Sequence, residues 1–174
     1  MSVSGFKTLF FFAHTDYEEV HKLIMSFGNK RTTLNNIPII VLKKVSHVLA
    51  PLIVTLFNES ATEGIFPEKL KLGRVIPLHK NGPQDLVENF RPITTLSIFS
   101  KIFEKLVHKR MTSFIMKYNL LSDNQFGFTA GKSTSDAILK FLDNAYDSLN
   151  NNNYLLTIYL DFSRAFDTIS HDIL

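Results

Sequence analysis

The sequence contains no cysteine. Without thiols the chain can form neither disulfides nor thiolate-bound zinc sites, although this absence is compatible with oxidising and reducing compartments alike. The six histidines are scattered along the chain and show no close metal-ligand spacing. The composition therefore predicts no metal site built on cysteine or histidine.

Long hydrophobic runs are missing as well. The apolar run from Leu9 to Ala13 is shorter than the core of a signal peptide and far shorter than a membrane span. With 45% hydrophobic residues among 174, the chain is nevertheless long enough to bury one ordinary core. We expect a soluble intracellular protein with no membrane partner, and the composition does not distinguish the cytoplasm from the nucleus.

Charge is distributed unevenly along the chain. Residues 66–132 carry eleven lysines and arginines against five acids, whereas residues 133–174 carry two basic and six acidic residues. A basic middle followed by an acidic end suits a protein that contacts a phosphate backbone with one part and binds metal with another. Two ordinary solvated surfaces would produce the same counts, so charge alone leaves both interpretations open.

Helical patterns dominate the first third of the chain. A capping-box spacing from Thr15 to Glu18 begins the first predicted helix, and Gly28 ends it. Pro38 can open a second helix, which Pro51 should break before a third helix runs to Gly64. The residues expected to face inward on the second and third helices are Val41, Leu42, Val45, Val48, Leu49, Leu52, Ile53, Leu56 and Phe57.

The middle of the chain predicts a hairpin and two longer helices. Residues 74–78 read as a strand, and a turn at residues 81–83 leads into a return strand over residues 89–95. Ser97 is expected to cap one long helix, and Ser133 to begin another through a capping box with Asp136. The basic face of the first of these helices carries Lys101, Lys105, Lys109 and Arg110.

Asp161 ends an apolar, β-prone run that begins at Tyr154. A rigid carboxylate at the end of a buried strand suits phosphoryl transfer, in which a protein contributes mainly metal binding and positioning. Aspartates near the start of a helix also commonly cap the helix or lie in solvent. A metal role for Asp161 therefore needs support from the rest of the sequence.

The loop from Gly127 to Ser133 raises a different possibility, a P-loop that binds nucleotide phosphates. A P-loop has four residues between its two glycines, whereas three separate Gly127 from Gly131, and Phe126 occupies the position of the first glycine. No clear buried strand leads into this loop. The pattern does not favour a nucleotide hydrolase.

Four segments follow one another in an informative order. They are residues 76–82, residues 89–93, residues 124–134 and residues 160–167. In this order and at these separations they resemble the fingers and early palm motifs of non-LTR (LINE- or jockey-like) retrotransposon reverse transcriptases. Residues 56–58 and 64–67 resemble the extension that precedes those motifs, and the resemblance covers roughly residues 16–174.

This resemblance implies an α+β fold that is an incomplete part of the right-hand polymerase fold. Residues 16–72 would form a helical N-terminal extension, residues 73–153 the fingers region, and residues 154–174 the start of the palm with its first strand. Residues 1–15 match nothing in the family and stay unassigned.

The resemblance also implies roles for individual residues. Asp161 would be the first catalytic aspartate and a Mg²⁺ ligand, with the backbone carbonyl of Phe162 as a further ligand. Lys80 and Arg91 would bind the triphosphate of the incoming deoxynucleotide, Arg91 as a planar fork and Lys80 as a point charge. Phe166 would be the aromatic steric gate against a 2′-hydroxyl, although a core aromatic is the simpler alternative.

Further residues would complete the nucleotide site by the same resemblance. Backbone amides around Arg164 and Ala165 would meet the incoming triphosphate, as amides at a helix start can. A second group would border the template and the nucleotide. That group consists of Gln125, Phe126, Gly127, Gly131 and Lys132.

The implied function is RNA-directed DNA synthesis, with an RNA template, a DNA primer and deoxynucleotides as partners and Mg²⁺ as cofactor. The family's second palm carboxylate pair has no counterpart, because the sequence contains no Asp-Asp pair. Two-metal chemistry needs ligands from more than one element, so we expect this chain to be inactive by itself. The alternatives are a non-catalytic nucleic-acid-binding remnant and a translated remnant without a selected function.

Overall fold

The computed structural model describes residues 12–29, 37–162 and 170. The chain separates into two compact units, Met1–Leu120 and Leu121–Leu174. The described α-helices and strands of the first unit are α1 (Tyr17–Ser26), α2 (Ile39–Lys44), α3 (Ser46–Glu63), β1 (Gly73–His79), β2 (Phe90–Leu96) and α4 (Ile98–Lys117). Two three-residue 3-10 helices, Glu68–Leu70 and Val87–Asn89, precede β1 and β2, and the second unit contains α5 (Thr134–Asn150). Within the described ranges no helix is long and apolar enough to cross a membrane.

Helix α1 begins one residue later than the capping box predicted. Asp16 is the capping residue, and its side chain accepts a hydrogen bond of 2.8 Å from the backbone N–H of Glu19. Thr15 is instead held by Asn58 of α3, whose side-chain amide bonds both the N–H and the carbonyl of Thr15 at 2.8 and 3.1 Å. The long-range contact with α3 therefore decides which of two adjacent capping residues is used.

The break between the second and third helices lies at Val45 and not at Pro51. Pro51 is inside α3, although proline lacks the N–H that would donate to the preceding turn. Residues on both sides of it, Ala50 and Ile53, are buried in the same core, and this shared burial offsets the lost hydrogen bond. Gly64 ends the helix as predicted, with a φ of 70° that glycine adopts readily.

The inward face of α2 and α3 also differs from the prediction. The buried residues on these helices are Ile39, Leu42, Ser46, Ala50, Ile53 and Phe57. Val41, Val45, Val48, Leu52 and Leu56, all predicted to face inward, are exposed. Both sides of these helices are apolar, so the sequence pattern alone could not decide which side packs on the core.

The predicted hairpin is confirmed. Strands β1 and β2 pair antiparallel, from Gly73 opposite Leu96 to His79 opposite Phe90, and form a two-stranded sheet. Strand β1 extends one residue beyond each predicted end, and β2 begins and ends one residue later than predicted. The described part of the chain is thus a mixture of helix and strand, as the α+β prediction requires.

Helix α4 carries the centre of the core. Ser97 caps it as predicted, by accepting a hydrogen bond of 3.0 Å from the backbone N–H of Ser100. Phe103 is 1% exposed, and its ring meets those of Phe57 and Phe66 edge-on at 5.4 and 5.8 Å. Edge-to-face aromatic pairs at this spacing stabilise a core beyond the area they bury.

The predicted palm strand is not formed. The structure assigns neither helix nor strand to residues 153–162, and Leu156, Ile158 and Leu160 are exposed. A strand requires hydrogen bonds to a neighbouring strand, and among the described residues β1 and β2 pair only with each other. The apolar, β-prone composition of residues 154–160 alone therefore does not produce the buried strand that was expected to end at Asp161.

Candidate functional site

Lys80 and Arg91 lie together on the hairpin. Arg91 of β2 pairs with Leu78 of β1, and the N–H of Lys80 donates to the carbonyl of Asn89 at 2.8 Å, which continues the same register beyond the strands. Residues two apart on a strand share a face, and so do residues directly opposite each other. Lys80 and Arg91 are therefore diagonal neighbours on one exposed face. Two cations in this arrangement can contact one polyanion.

The loop that follows Lys80 is held by residues that the site prediction did not include. The ring of His79 bonds the carbonyl of Gly82 at 2.9 Å, and the side-chain amide of Asn89 donates to the carbonyl of Pro83 at 2.7 Å. Gly82 has a φ of 77°, and a Cβ there would lie 2.7 Å from Asn89 Nδ2. These contacts hold the loop that connects Lys80 to Arg91 along the chain. The Asn-Gly pair was the sequence feature that could have indicated this turn.

The candidate template-border residues form a loop closed on itself in the second unit. Gln125 Nε2 donates to the carbonyl of Gly127 at 2.7 Å, and Lys132 Nζ donates to the carbonyl of Asp123 at 2.5 Å. The ammonium of Lys132 also lies 5.1 Å from the ring centre of Phe126. Lys132 thus joins both ends of the loop, and Gly131 supplies a φ of 77° at the turn into α5.

Phe128 lies inside this loop, in the predicted template-border segment from Gln125 to Gly131, but no individual role was predicted for it. Its φ is 57° and its side chain is fully exposed. Positive φ is uncommon for a bulky residue, and the loop around it is restrained by the bonds of Gln125 and Lys132. An aromatic ring presented in this way can stack on a nucleobase. Its place between two glycines was the available sequence signal.

Helix α5 begins directly after Lys132 with the capping box that the sequence predicts. The backbone N–H and the hydroxyl of Ser133 both donate to Asp136 Oδ2 at 2.7 Å, and the hydroxyl accepts from the N–H of Asp136 at 3.3 Å. Hydrogen bonds from the hydroxyl and then the backbone of Ser133 hold the pKa of Asp136 below its ordinary value. The carboxylate of Asp136 therefore forms part of the N-terminal cap of α5.

Asp161 and Phe162 are exposed. A carboxylate and a backbone carbonyl are oxygen donors of the kind that Mg²⁺ prefers. However, no group of three or more histidine or acidic side chains in the described ranges is arranged to hold a metal ion. The described residues thus offer oxygen ligands of the kind that a divalent ion prefers, but too few of them to hold the ion. Arg164, Ala165 and Phe166, the other predicted residues of this segment, lie outside the described residues.

The basic face of α4 is partly neutralised. Arg110 Nη2 and Lys109 Nζ contact the Glu19 carboxylate of α1 at 2.6 and 2.5 Å. Hydrogen bonding by Arg110, opposed by burial and assisted by Lys109, lowers the pKa of Glu19 to about 2. Lys101 and Lys105 have no such acid partner in the part of the chain that the structure describes. The ammonium of Lys105 lies 4.6 Å from the ring centre of Phe27.

A family model described as reverse transcriptase (RNA-dependent DNA polymerase) matches residues 78–174 of this chain. The matched range includes both hairpin cations, the Gln125–Lys132 loop and Asp161. It also includes the three candidate residues that the structure does not describe.

Proteins with related sequences support the same assignment. The probable RNA-directed DNA polymerase from transposon BS of Drosophila melanogaster is 27% identical over 157 residues, which are 89% of this chain and 17% of the relative. That from transposon X-element of the same species is 29% identical over 155 residues, covering 88% of this chain and 17% of the relative. The RNA-directed DNA polymerase from mobile element jockey, also of D. melanogaster, is 30% identical over 118 residues, which are 67% of this chain and 13% of the relative.

The chain thus spans less than a fifth of the length of each of these relatives. The alignments to the first two cover more of the chain than the family model does, so the likeness is not confined to residues 78–174. On these matches, the chain belongs to the reverse transcriptase (RNA-dependent DNA polymerase) family, in its non-LTR retrotransposon branch.

Proposed function

We propose that this chain is the N-terminal part of the polymerase region of a non-LTR retrotransposon enzyme that copies an RNA template onto a DNA primer. The observation that carries the proposal is the family match over residues 78–174, which includes every candidate site residue. The transposon polymerases to which the chain is similar are described by the same activity. The hairpin carries the residues proposed to bind the nucleotide, and the Gln125–Lys132 loop carries those proposed to border the template.

Lys80 and Arg91 bind the triphosphate of the incoming deoxynucleotide in this proposal. Support comes from their diagonal placement on one exposed face of the hairpin. Neither side chain has an ion-pair partner among the residues described, so both charges are available to an anion. The guanidinium of Arg91 can make two parallel hydrogen bonds to phosphate oxygens, whereas the ammonium of Lys80 acts as a point charge.

Asp161 contributes one carboxylate to a divalent metal site, which we propose holds Mg²⁺, and Phe162 contributes its backbone carbonyl. When bound, such an ion neutralises the charge that develops on the reacting phosphate. Amides around Arg164 and Ala165 meet the triphosphate, and the ring of Phe166 occupies the space of a ribose 2′-hydroxyl. In this proposal the remaining ligands come from other parts of the polymerase, because two-metal chemistry needs ligands from more than one element.

Gln125, Phe126, Gly127, Gly131 and Lys132 border the template in this proposal. The hydrogen bonds of Gln125 and Lys132 hold the loop in one conformation, which lowers the entropic cost of binding a strand. Phe128 extends the proposed surface by one exposed ring. Stacking on such a ring does not depend on base identity, as a polymerase that copies any template requires.

The proposal is tested by transplanting residues 78–174 into the corresponding segment of the jockey polymerase and measuring primer extension on an RNA template. We expect the chimera to extend the primer and Asp161→Asn to reduce extension to background. Asp143→Asn, at an exposed position of α5, is the matched control and should leave extension unchanged. Full extension by the Asp161→Asn chimera would contradict the proposed role of that carboxylate.

The same chimera separates the roles of the nucleotide-binding residues. Arg91→Ala and Lys80→Ala should raise KM for deoxynucleotides, and Arg91→Lys should recover only part of the loss because it keeps the charge without the fork. Phe166→Val should admit ribonucleotides while leaving deoxynucleotide incorporation largely intact. Unchanged selectivity in Phe166→Val would favour the alternative that this ring is a core aromatic.

A second function, binding of nucleic acid without catalysis, is favoured by the excess of positive charge in residues 66–132. We expect the 174-residue polypeptide by itself to show no primer extension and to retain RNA in filter binding at low salt. Retention should weaken steeply towards physiological salt if phosphate contacts dominate. Lys105→Glu should lower this retention more than Lys43→Glu, because Lys43 lies outside the basic region.

A further inference from the structure

The outward side of α2 and α3 carries a continuous apolar line opposite the buried side. Its members are Val41, Val45, Val48, Leu52 and Leu56, which are 45%, 39%, 56%, 64% and 42% exposed. Single exposed apolar residues are normal on a protein surface, but an aligned row of five is not. We call this row the valine–leucine stripe.

The stripe stays on one side of the helices across the break at Val45. The N–H of Val45 donates to the carbonyl of Val41 at 3.2 Å, and the N–H of Leu49 donates to the carbonyl of Val45 at 3.0 Å. Helical hydrogen bonding thus continues through the junction. The spacings of four, three and four residues from Val41 to Leu52 are those of a seam along which two helices pack.

The charges at the ends of the stripe have opposite sign. Lys44 flanks the stripe near its beginning, whereas Glu59 and Glu63 follow Leu56 on the same side of the helix, and all three are exposed. None of the three has an ion-pair partner within the described ranges. At a rise of 1.5 Å per residue, Lys44 and Glu59 lie about 12 Å and about 11 Å on either side of Leu52.

This spacing is self-complementary for antiparallel pairing. A two-fold axis at Leu52 places Leu52 against its own copy, Val48 opposite Leu56, and Lys44 beside Glu59 of the second molecule. Parallel pairing would instead place Lys44 beside Lys44 and Glu59 beside Glu59, which costs free energy. Isologous interfaces of this kind are the commonest in homo-oligomers.

We infer that the valine–leucine stripe forms, from Val48 to Leu56, an antiparallel two-fold interface between two copies of this chain. The inference is independent of the polymerase function, since the stripe contains none of the proposed nucleotide- or template-binding residues. It assigns a role to residues that the sequence pattern had placed in the core.

The charged ends provide the first test, by sedimentation equilibrium of the 174-residue chain. Lys44→Glu and Glu59→Lys should each raise the Kd of dimerisation at least about tenfold, because each creates two like-charge contacts per dimer. The double variant Lys44→Glu with Glu59→Lys should restore dimerisation. Lys69→Glu, at an exposed position away from the stripe, is the control and should change nothing. Failure of the double variant to recover would overturn the antiparallel pairing.

The absence of natural cysteine provides the second test, since an introduced thiol is the only one in the chain. Leu52→Cys should form a disulfide-linked dimer under mild oxidation by diamide. Val45→Cys should not, because antiparallel pairing separates its two copies by about 21 Å. Equal linking of both variants would indicate parallel pairing and overturn the inference. A wild-type chain that is monomeric at all concentrations would likewise overturn the inference. That result would indicate that a different protein segment packs on the stripe.

Discussion

Arg110 on α4 donates to both carboxylate oxygens of Glu19 on α1, at 3.0 Å to Oε1 and 2.6 Å to Oε2. Its guanidinium also donates to the carbonyls of Ala13 and His14 at 2.9 and 3.1 Å, and only 9% of its side chain is exposed. Arg110 therefore ties the segment before α1 and the first turn of α1 to α4.

Glu19→Gln should lower the free energy of unfolding at pH 7 by roughly 1–2 kcal/mol, because hydrogen bonds to charged groups contribute more than neutral ones. Urea denaturation followed by circular dichroism measures this change. Glu18→Gln is the control, since Glu18 is exposed on the same turn, and its effect should stay within about 0.5 kcal/mol.

The contribution of Glu19 should depend on pH in a defined direction. Its pKa is lowered from 4.5 to about 2 in the folded chain, so folding favours the ionised form. The stability difference between wild type and Glu19→Gln should be fully present above about pH 4.5 and disappear as the pH falls through about 2. Denaturation series at pH 7, 4 and 3 give the comparison, and a difference that grows on acidification would contradict the ion pair.

Gly82→Ala should destabilise the hairpin loop by at least about 1 kcal/mol, because alanine pays a steric penalty at positive φ. The new Cβ would also lie 2.7 Å from Asn89 Nδ2. Gly28→Ala is the control, because nothing lies within 4 Å of a Cβ built at Gly28. Thermal unfolding of the two variants tests this, and equal effects at both positions would argue against the loop geometry.

Pro51→Ala should stabilise the chain by about 1–3 kcal/mol, because alanine restores a helical N–H that can donate to the carbonyl of His47. Pro51 is exposed, so the substitution removes no core contact. Pro67→Ala is the control outside the helices, where φ is already −59° and no gain is expected. A loss of stability in Pro51→Ala would show that the proline ring itself contributes to the fold.

Ser133→Ala should destabilise α5 by about 1 kcal/mol, the usual cost of losing a helix cap. The pKa of Asp136 should rise towards its ordinary value, because the Ser133 hydroxyl is the main cause of its lowering. Side-chain NMR titration measures the pKa, and denaturation measures the stability. Ser135→Ala in the first turn of the same helix should leave the pKa of Asp136 nearly unchanged.

Features that depend on a few neighbouring residues could be predicted from the sequence. The caps at Ser97 and Ser133, the helix end at Gly64 and the β1–β2 hairpin are all confirmed. The caps and the helix end are determined by side-chain hydrogen bonds or backbone preferences within about five residues, and the hairpin pairs segments at most 23 residues apart. Family membership was predictable for a similar reason, because the order and spacing of four short motifs are properties of the linear chain.

Features that depend on distant residues could not be predicted from the sequence. Asn58 binds Thr15, and Asp16 caps α1 instead. Pro51 lies inside α3, where buried residues on both sides of it pack on the core. Arg110 forms its ion pair with Glu19, which lies on a different helix. Val41, Val45 and Val48 are as apolar as the residues that were buried, yet they face outward. The strand expected before Asp161 lacked a partner among the described residues.

The sequence by itself thus determined the helix caps, the hairpin, the uneven charge and the family. Only the tertiary structure decided which side of α2 and α3 is buried, which basic residues are neutralised, and that Lys80 and Arg91 share one face. The physical reason is that local hydrogen bonds and backbone preferences act over a few residues. Burial and ion pairing instead require groups that the chain brings together from distant positions, 91 residues apart for Arg110 and Glu19.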